Sequence, residues 1–459
     1  MSLLPPQPIS PLDGRYRKPV NELGDYLSEA GLNRARVHIE VEWIAHLTKR
    51  SMFGSKPLSD AQLTELRDWA ANFGETEIAR LAEIEATTQH DVKAVEYLVR
   101  EQLTRQGLDS IAELTHICCT SEDINNLSYA LTVKNAVEKV WRPKLAAVIT
   151  ELTSQAQKYQ DLAMMSRTHG QPATPTTLGK ELAVFVHRLQ RQLRQIDAIE
   201  YLGKFSGATG TFAAHISADP QANWQKIGQS FVESLGLTFN PLTTQIESHD
   251  WQAELYDRVV HANRILHNLA TDIWSYISIG YFRQIPVAGA TGSSTMPHKV
   301  NPIRFENAEA NLELSNAVLG SLAETLVTSR WQRDLTDSSA QRNIGVGFGH
   351  SVLALDNVLR GLNQIDAAAD TIAADLDANW EVLAEAIQTV IRAEVTAGRS
   401  EITDPYAALK ELTRGRRIGQ AELQEFVSGL DIGEEAKERL LQLTPAAYTG
   451  IASTLVDLI

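Results

Sequence analysis

The sequence predicts an all-α protein of three helical domains, the central one a long-helix bundle completed by other subunits. Apolar residues recur at helical spacing over most of the chain, while alternating strand patterns are scarce. Several of these segments are long and free of proline. The polar, glycine- and proline-bearing material is confined to a few loops between them.

Residues 1–118 read as a smaller N-terminal helical domain with a loop at Thr87–Asp91. Thr120 followed by Asp123 is a helix-start signal, and Ile124, Leu127, Leu131, Val137 and Trp141 then keep helical spacing until Pro143 interrupts. Leu178, Leu182, Phe185, Leu189, Leu193 and Ile196 predict a further long helix ending before Gly203. Trp251–Phe282 contains no proline and one glycine, and Glu306–Arg330 contains no proline and only Gly320. These segments form a central domain, 119–364. Their apolar residues spread around much of the helix circumference, so each needs partners on several sides, and association of subunits is expected rather than a monomeric bundle. From 365 to 459 the pattern shortens, with breaks at Asp404-Pro405, Gly415 and Thr444-Pro445, which predicts a C-terminal helical domain.

Composition removes several function classes. The chain has 459 residues, too many for one ordinary core, and its 43% apolar and 22% charged residues exclude wholesale disorder. A net charge of −15 argues against a nucleic-acid surface, although a local cluster of cations can still hold an anion. The only two cysteines, Cys118 and Cys119, are adjacent, which suits a reduced, cytoplasmic protein better than a disulfide scaffold. Met1–Pro11 carries four prolines and no basic region, so it does not read as a secretory signal. No long apolar run predicts a membrane span. The twelve histidines are scattered without HExxH or CxxC spacing, so no metal is expected. Neither a GxxxxGK[ST] nor a GxGxxG follows a strand, so no nucleotide cofactor is expected, and no GxSxG nucleophile elbow occurs.

The loops carry the chemistry. Gly292-Ser293-Ser294-Thr295-Met296-Pro297-His298-Lys299-Val300-Asn301-Pro302 offers hydroxyls, N–H groups, an ammonium and an amide. It is either a polar helix connection or an anion cradle in which a serine could take up a proton. In Ser166-Arg167-Thr168-His169-Gly170-Gln171-Pro172-Ala173-Thr174-Pro175, His169 is either an ordinary loop residue or a group for acid–base work near neutral pH. Arg333, Ser338 and Arg342 suit a phosphate or carboxylate, unless Asp334 and Asp337 neutralise the arginines locally. Asp13-Gly14-Arg15-Tyr16 sets an arginine beside a ring after a turn. Gln89-His90-Asp91 is a short polar cluster, and Thr120-Ser121 is a helix cap at a terminus where phosphate also binds well.

Together these residues resemble the fumarase/aspartase superfamily: Gly292-Ser293-x-x-Met296-x-x-Lys299-x-Asn301 matches its shared loop at every defined position. Within it, the segments 10–16, 88–97, 119–126, 166–175 and 330–338 are similar to the adenylosuccinate lyases, in their longer bacterial form. The likeness covers essentially the whole chain and is weakest at 51–83 and after 415. It implies β-elimination of fumarate from adenylosuccinate to give AMP, and from the succinyl-carboxamide ribonucleotide SAICAR to give AICAR, without a cofactor. It implies Ser293 as general base on the succinyl Cβ proton and His169 as general acid on the departing nitrogen. Lys299 and Asn301 would stabilise the aci-carboxylate, and His90 would assist His169. Arg15, Tyr16, Arg333, Ser338 and Arg342 would hold the nucleotide and its phosphate. Gln89, His90, Asp91, Thr120, Ser121, Gln245, Ser294 and Asn307 would line the rest, with Lys299 and Asn301 also touching substrate. The family further implies a homotetramer whose sites are shared between subunits.

The division of labour is chemically reasonable. A hydrogen beside a carboxylate is a poor acid, so its removal needs a base and a cradle for the resulting dianion. The C–N bond breaks readily once nitrogen is protonated, which an imidazolium can do. Arg304 departs from the acidic or small residue expected after Asn301-Pro302-Ile303, and is expected to face solvent. Two alternatives compete: another lyase of the superfamily, such as argininosuccinate lyase or fumarase, and a non-catalytic scaffold. The arginine clusters favour a nucleotide, and the presence of Ser293, His169 and Lys299 disfavours a scaffold.

Overall fold

The computed structural model describes residues 8–286, 296, 298–413 and 418–459. Among them, eleven helices have twelve or more residues: α1 (Glu29–Lys49), α2 (Asp60–Ala71), α3 (Glu75–Thr88), α4 (Asp91–Arg105), α5 (Ser121–Ala136), α6 (Arg142–Lys158), α7 (Leu178–Asp197), α8 (Asp250–Ser278), α9 (Ile303–Leu326), α10 (Ile344–Leu362) and α11 (Ala384–Thr396). Helix thus dominates, and the long proline-free segments read from the sequence are α7, α8 and α9. Pro143 does not end the helix begun at Ser121. A π-helical turn, Val137–Trp141, joins α5 directly to α6. Proline lacks an N–H and crowds the carbonyl four residues back, and widening the turn at that carbonyl accommodates the ring.

Three two-stranded sheets punctuate the helices. β1 (Ala163–Thr168) and β2 (Gln171–Thr177) pair antiparallel, so the segment read as a proline-bearing loop is a hairpin. Its prolines face Arg167 and Met165 across a two-stranded ribbon, where a missing N–H disturbs no further strand. β3 (Leu202–Gly203) pairs parallel with β4 (Thr238–Phe239), and β5 (Phe282–Gln284) antiparallel with β6 (Ile365–Ala367).

The chain divides into two compact units, each assembled from separated stretches. The first comprises 1–146, 192–266 and 308–356. In its core Trp43 packs against Phe205 and Phe231 at ring distances of 4.4 and 5.0 Å. A buried polar thread joins four of its helical segments: Trp141 Nε1 donates to Ser351 Oγ (2.8 Å), Ser351 to Asn263 Oδ1 (2.8 Å) and Asn263 to Ser315 Oγ (3.0 Å). Fully satisfied, such a thread fixes the register of helices whose apolar faces alone would slide. The second unit comprises 147–191, 267–307 and 357–459. Trp380, Leu383, Ile387, Leu423, Val427 and Leu440 are among the residues of its C-terminal core. Met164 and Met165 root the hairpin in buried surroundings.

Candidate active site

The first unit brings Arg333, Gln245 and Ser338 together. Arg333 Nη1 lies 2.9 Å from Glu122 Oε1 and 3.4 Å from Gln245 Oε1, and Nη2 donates to Ser338 Oγ at 3.0 Å. The carboxylates of Asp334 and Asp337 have their closest partners elsewhere, although the Arg333 charge still acts on Asp337. Asp334 pairs with Arg330 at 3.1 Å, and Asp337 accepts from the buried His249 at 3.3 Å. Burial raises the Asp337 carboxyl, but His249, the Ser338 N–H and the Arg333 charge together hold the group below the usual range. Ser338 lies in a short helix, Thr336–Gln341, within the 332–347 loop.

Arg342 is the second outward guanidinium. Its Nη1 meets the Glu29 carboxylate and its Nη2 lies 2.9 Å from Asp91 Oδ2. It lines a cleft of about 740 Å³ with Asp13, Arg17, Glu29, Tyr129 and Gln341. Arg15 and Tyr16 follow that turn, closed by Tyr16 N–H on Pro11 O at 2.8 Å, with the Arg15 guanidinium 5.9 Å from the Tyr16 ring. Burial works against the Asp91 charge, yet Arg36, the Val92 N–H and Arg342 keep its carboxyl below the usual range.

Gln89 closes α3 in the left-handed region (φ 51°), which turns the chain so that His90 can start α4. His90 Nδ1 accepts from Lys93 N–H at 3.2 Å, so in neutral form its proton sits on Nε2, the free end of an exposed ring. Thr120 N–H donates to Asp123 Oδ2 (2.8 Å) at the start of α5, beside the partly buried Ser121. Asp123 is fully buried against Lys204 at 3.0 Å. Its carboxylate also takes the N–H groups of Ser206 and Gly207, while Lys204 Nζ donates to Gly207 O and Gln245 O, both at 2.8 Å. This pair therefore holds the 206–208 turn and the Gln245 backbone in place. Gly207 has φ +83°, a conformation side-chain-bearing residues avoid.

In the second unit, His169 stands exposed at the tip of the β1–β2 hairpin. It and Gly170 form a two-residue turn with φ 54° and 74°, and positive φ at both positions is the turn that matches strand twist. Two residues before it, close to the turn, Arg167 lies 2.7 Å from Asp375 and 3.0 Å from Tyr281 Oη, tying down the strand that carries the imidazole. Lys299 is exposed, and Asn301 and Asn307 are partly buried. Asn307 Oδ1 accepts from Asn357 Nδ2 at 2.9 Å. Arg304 does not face solvent as expected: partly buried, it donates to Asn357 Oδ1 at 3.2 Å. Ser293 and Ser294 lie outside the described residues.

Two family models match: a lyase model over residues 14–319 and an adenylosuccinate lyase C-terminal model over 329–449. The chain is 48% identical over 451 residues to the adenylosuccinate lyase of Escherichia coli (strain K12), covering 98% of both chains. It is 46% identical over 458 residues to that of Legionella pneumophila (strain Corby), covering 99% of both. The chain belongs to the adenylosuccinate lyase family. Its fold is shared more widely. A fumarate lyase from Mesorhizobium sp. BNC1 superposes with TM-score 0.74 at 18% identity, over 95% of this chain and 97% of that one. A 3-carboxy-cis,cis-muconate lactonizing enzyme from Pseudomonas putida gives 0.72 at 20%, over 95% and 96%.

Within this adenylosuccinate lyase scaffold, sequence reasoning missed the exposed Glu29 and the buried Arg36, Glu122, Asn125 and Lys204, and read Asp123 only as part of a helix cap. The one available signal is the segment Ser121–Asn126, polar except for Ile124, inside a helical segment, since one helix packed on several sides cannot turn all five polar residues to solvent.

Proposed function

We propose that this chain cleaves adenylosuccinate to AMP and fumarate, and SAICAR to AICAR and fumarate, as a C–N lyase. The observation that carries the nucleotide reading is the Arg333–Arg342 pair. Arg333 is held by Glu122 beside Ser338 and Gln245, Arg342 is held by Glu29 and Asp91, and a phosphate matches the fork geometry of a guanidinium. Arg15 and Tyr16 complete the phosphate and nucleotide side, with Gln89, His90, Asp91, Thr120, Ser121, Ser294 and Asn307 against the remainder.

For the chemistry, Ser293 acts as the base on the Cβ proton and His169 protonates the leaving nitrogen. A residue at a hairpin tip, with the strand tied down two residues earlier by Arg167, can approach a ligand without burying the backbone, which suits His169 to this part. Lys299 and Asn301 hold the developing aci-carboxylate, and preorganised charge there is the largest contribution available to such a step. His90, with Nε2–H outward, assists His169. The working form is a homotetramer with shared sites. The exposed Val184 on α7, Trp274 on α8 and Leu314 on α9 fit that assembly, because apolar faces on long helices favour partners. The unpaired thiols of Cys118 and Cys119 fit a cytoplasmic setting. Among the described residues, no helix is long and apolar enough to cross a membrane.

The test follows ultraviolet absorbance after addition of adenylosuccinate, with argininosuccinate and malate as controls. Turnover of the nucleotide is expected. Turnover of a control with none of the nucleotide would transfer the chain to another activity of the superfamily.

A further inference from the structure

Arg36 is 2% exposed, in the middle of α1 and away from any solvent-facing position. A charge there costs several kcal/mol unless it is fully paired, and an apolar side chain of similar size would stabilise the core at least as well. Its partners show what it joins. Nη2 lies 2.9 Å from Asp91 Oδ2, the same oxygen that Arg342 Nη2 contacts at 2.9 Å. Nε donates to Asn125 Oδ1 at 2.9 Å. Asn125 Nδ2 in turn donates to Glu122 Oε1 at 2.9 Å, the oxygen that Arg333 Nη1 meets at 2.9 Å.

A single polar relay, buried at Glu122, Asn125 and Arg36 and partly exposed at Asp91, therefore runs from one guanidinium to the other: Arg333, Glu122, Asn125, Arg36, Asp91, Arg342. Each inner member has a polar partner on both sides. The planar fork of Arg36 matters, because its Nε and Nη2 point to different helices, α5 and α4, and a lysine ammonium on a flexible stem cannot hold both directions at once.

We infer that Arg36 is a positioning residue for nucleotide binding, fixing the spacing of Arg333 and Arg342 through the Asn125–Glu122 and Asp91 arms. This rests on the reading of those two arginines as nucleotide contacts. Arg36 touches no ligand, and its removal acts on binding rather than on bond cleavage.

The experiment compares the wild-type chain with Arg36→Met, Arg36→Lys and Asn125→Ala, measuring AMP affinity by calorimetry and steady-state kcat and KM for adenylosuccinate. Melting curves and gel filtration select folded variants. The expected result is a rise of about tenfold or more in KM and in the AMP Kd for each variant, with kcat changed less than about twofold. Arg36→Lys keeps the charge opposite Asp91 and should not restore the affinity. Should Arg36→Met fail to fold, Asn125→Ala and Arg36→Lys carry the test. Restoration of wild-type KM by lysine, or an unchanged KM in folded Asn125→Ala, overturns the inference while leaving the proposed function standing. A wild-type chain that neither binds AMP nor cleaves adenylosuccinate overturns both.

Discussion

Replacing Arg333 by methionine separates what this residue does for the core from what it does for ligand. The Glu122 side chain is 3% exposed and that of Arg333 19%. Removing one partner of a buried pair costs about 3–5 kcal/mol, because the remaining charge has lost its compensation. Asn125 still donates to Glu122 at 2.9 Å, which places the expected loss near the lower end, about 3 kcal/mol. Adding Glu122→Gln removes the stranded charge while Asn125 keeps an oxygen acceptor, so about 2 kcal/mol should return. Binding behaves differently. A charge-assisted contact to phosphate contributes about 1.5–3 kcal/mol, and its loss raises KM by roughly tenfold to a hundredfold. The double variant has no guanidinium either, so KM should stay high.

Urea unfolding followed by circular dichroism gives the first quantity, and initial rates over a range of adenylosuccinate concentrations give the second. If Glu122→Gln restored KM along with stability, the loss in the single variant would reflect the stranded carboxylate alone, and Arg333 would not be a ligand contact. If Arg333→Met were as stable as wild type, the buried-pair reasoning itself would fail.

His169→Ala and Ser293→Ala should each lower kcat by about 10²–10⁴ while the oligomer measured by light scattering stays intact; near-wild-type turnover in either variant removes its assigned role. Gly170→Ala meets no atom within 4 Å, so only the φ of 74° opposes it, at about 1–2 kcal/mol. The hairpin tip should shift and kcat should fall in Gly170→Ala but much less in Gly170→Asn, since asparagine tolerates that region; equal kcat values would mean the turn does not set His169. Glu29→Gln frees Arg342 from a carboxylate, but with 40% and 59% exposure the pair is solvent-screened, so AMP should bind no more than about fivefold tighter by calorimetry. Burial lowers the pKa of His116, but Glu40 at 2.6 Å and its acidic neighbours raise it further, to a net value above 6.5. That stability is complete below 6.5 and is lost as pH rises through the raised value, so the urea midpoint should fall on the alkaline side. In Glu40→Gln the fall should vanish, and its persistence would assign it to another group.

The long helices were legible because apolar spacing and the lack of proline are local properties. Leu178–Ile196 needed no knowledge of its partners to be read as a helix. The family was legible for a related reason, since the Gly292–Asn301 pattern is a fixed order of residue types within one short segment. The hairpin at His169 was less so. Its two prolines argued for a loop, and only the pairing of β1 with β2 shows that both sit on a ribbon with no third strand to offend. Pro143 misled similarly: its local penalty is real, but a π-helical turn before it absorbs the clash.

The buried polar groups were hidden for a deeper reason. Periodicity counts apolar residues and does not reveal where a charged one finds partners, so the burial of Arg36 on α1 and of Glu122 and Asp123 on α5 was not read from the sequence. Their burial is possible only because partners arrive from distant segments: Asn125 lies 89 residues from Arg36. Lys204 likewise arrives from another segment to meet Asp123 at 3.0 Å. No window on the sequence contains both members of such a pair. Yet the same pairing explains why the two outward arginines can be held still. A surface guanidinium anchored only by exposed carboxylates would be loosely held by a screened pair. Arg333 is anchored through Glu122, which water barely reaches, so its orientation is fixed before a ligand arrives and less ordering entropy is lost on binding. The cost of burying charge in this core is thus offset in the preorganisation of the groups proposed to meet the substrate.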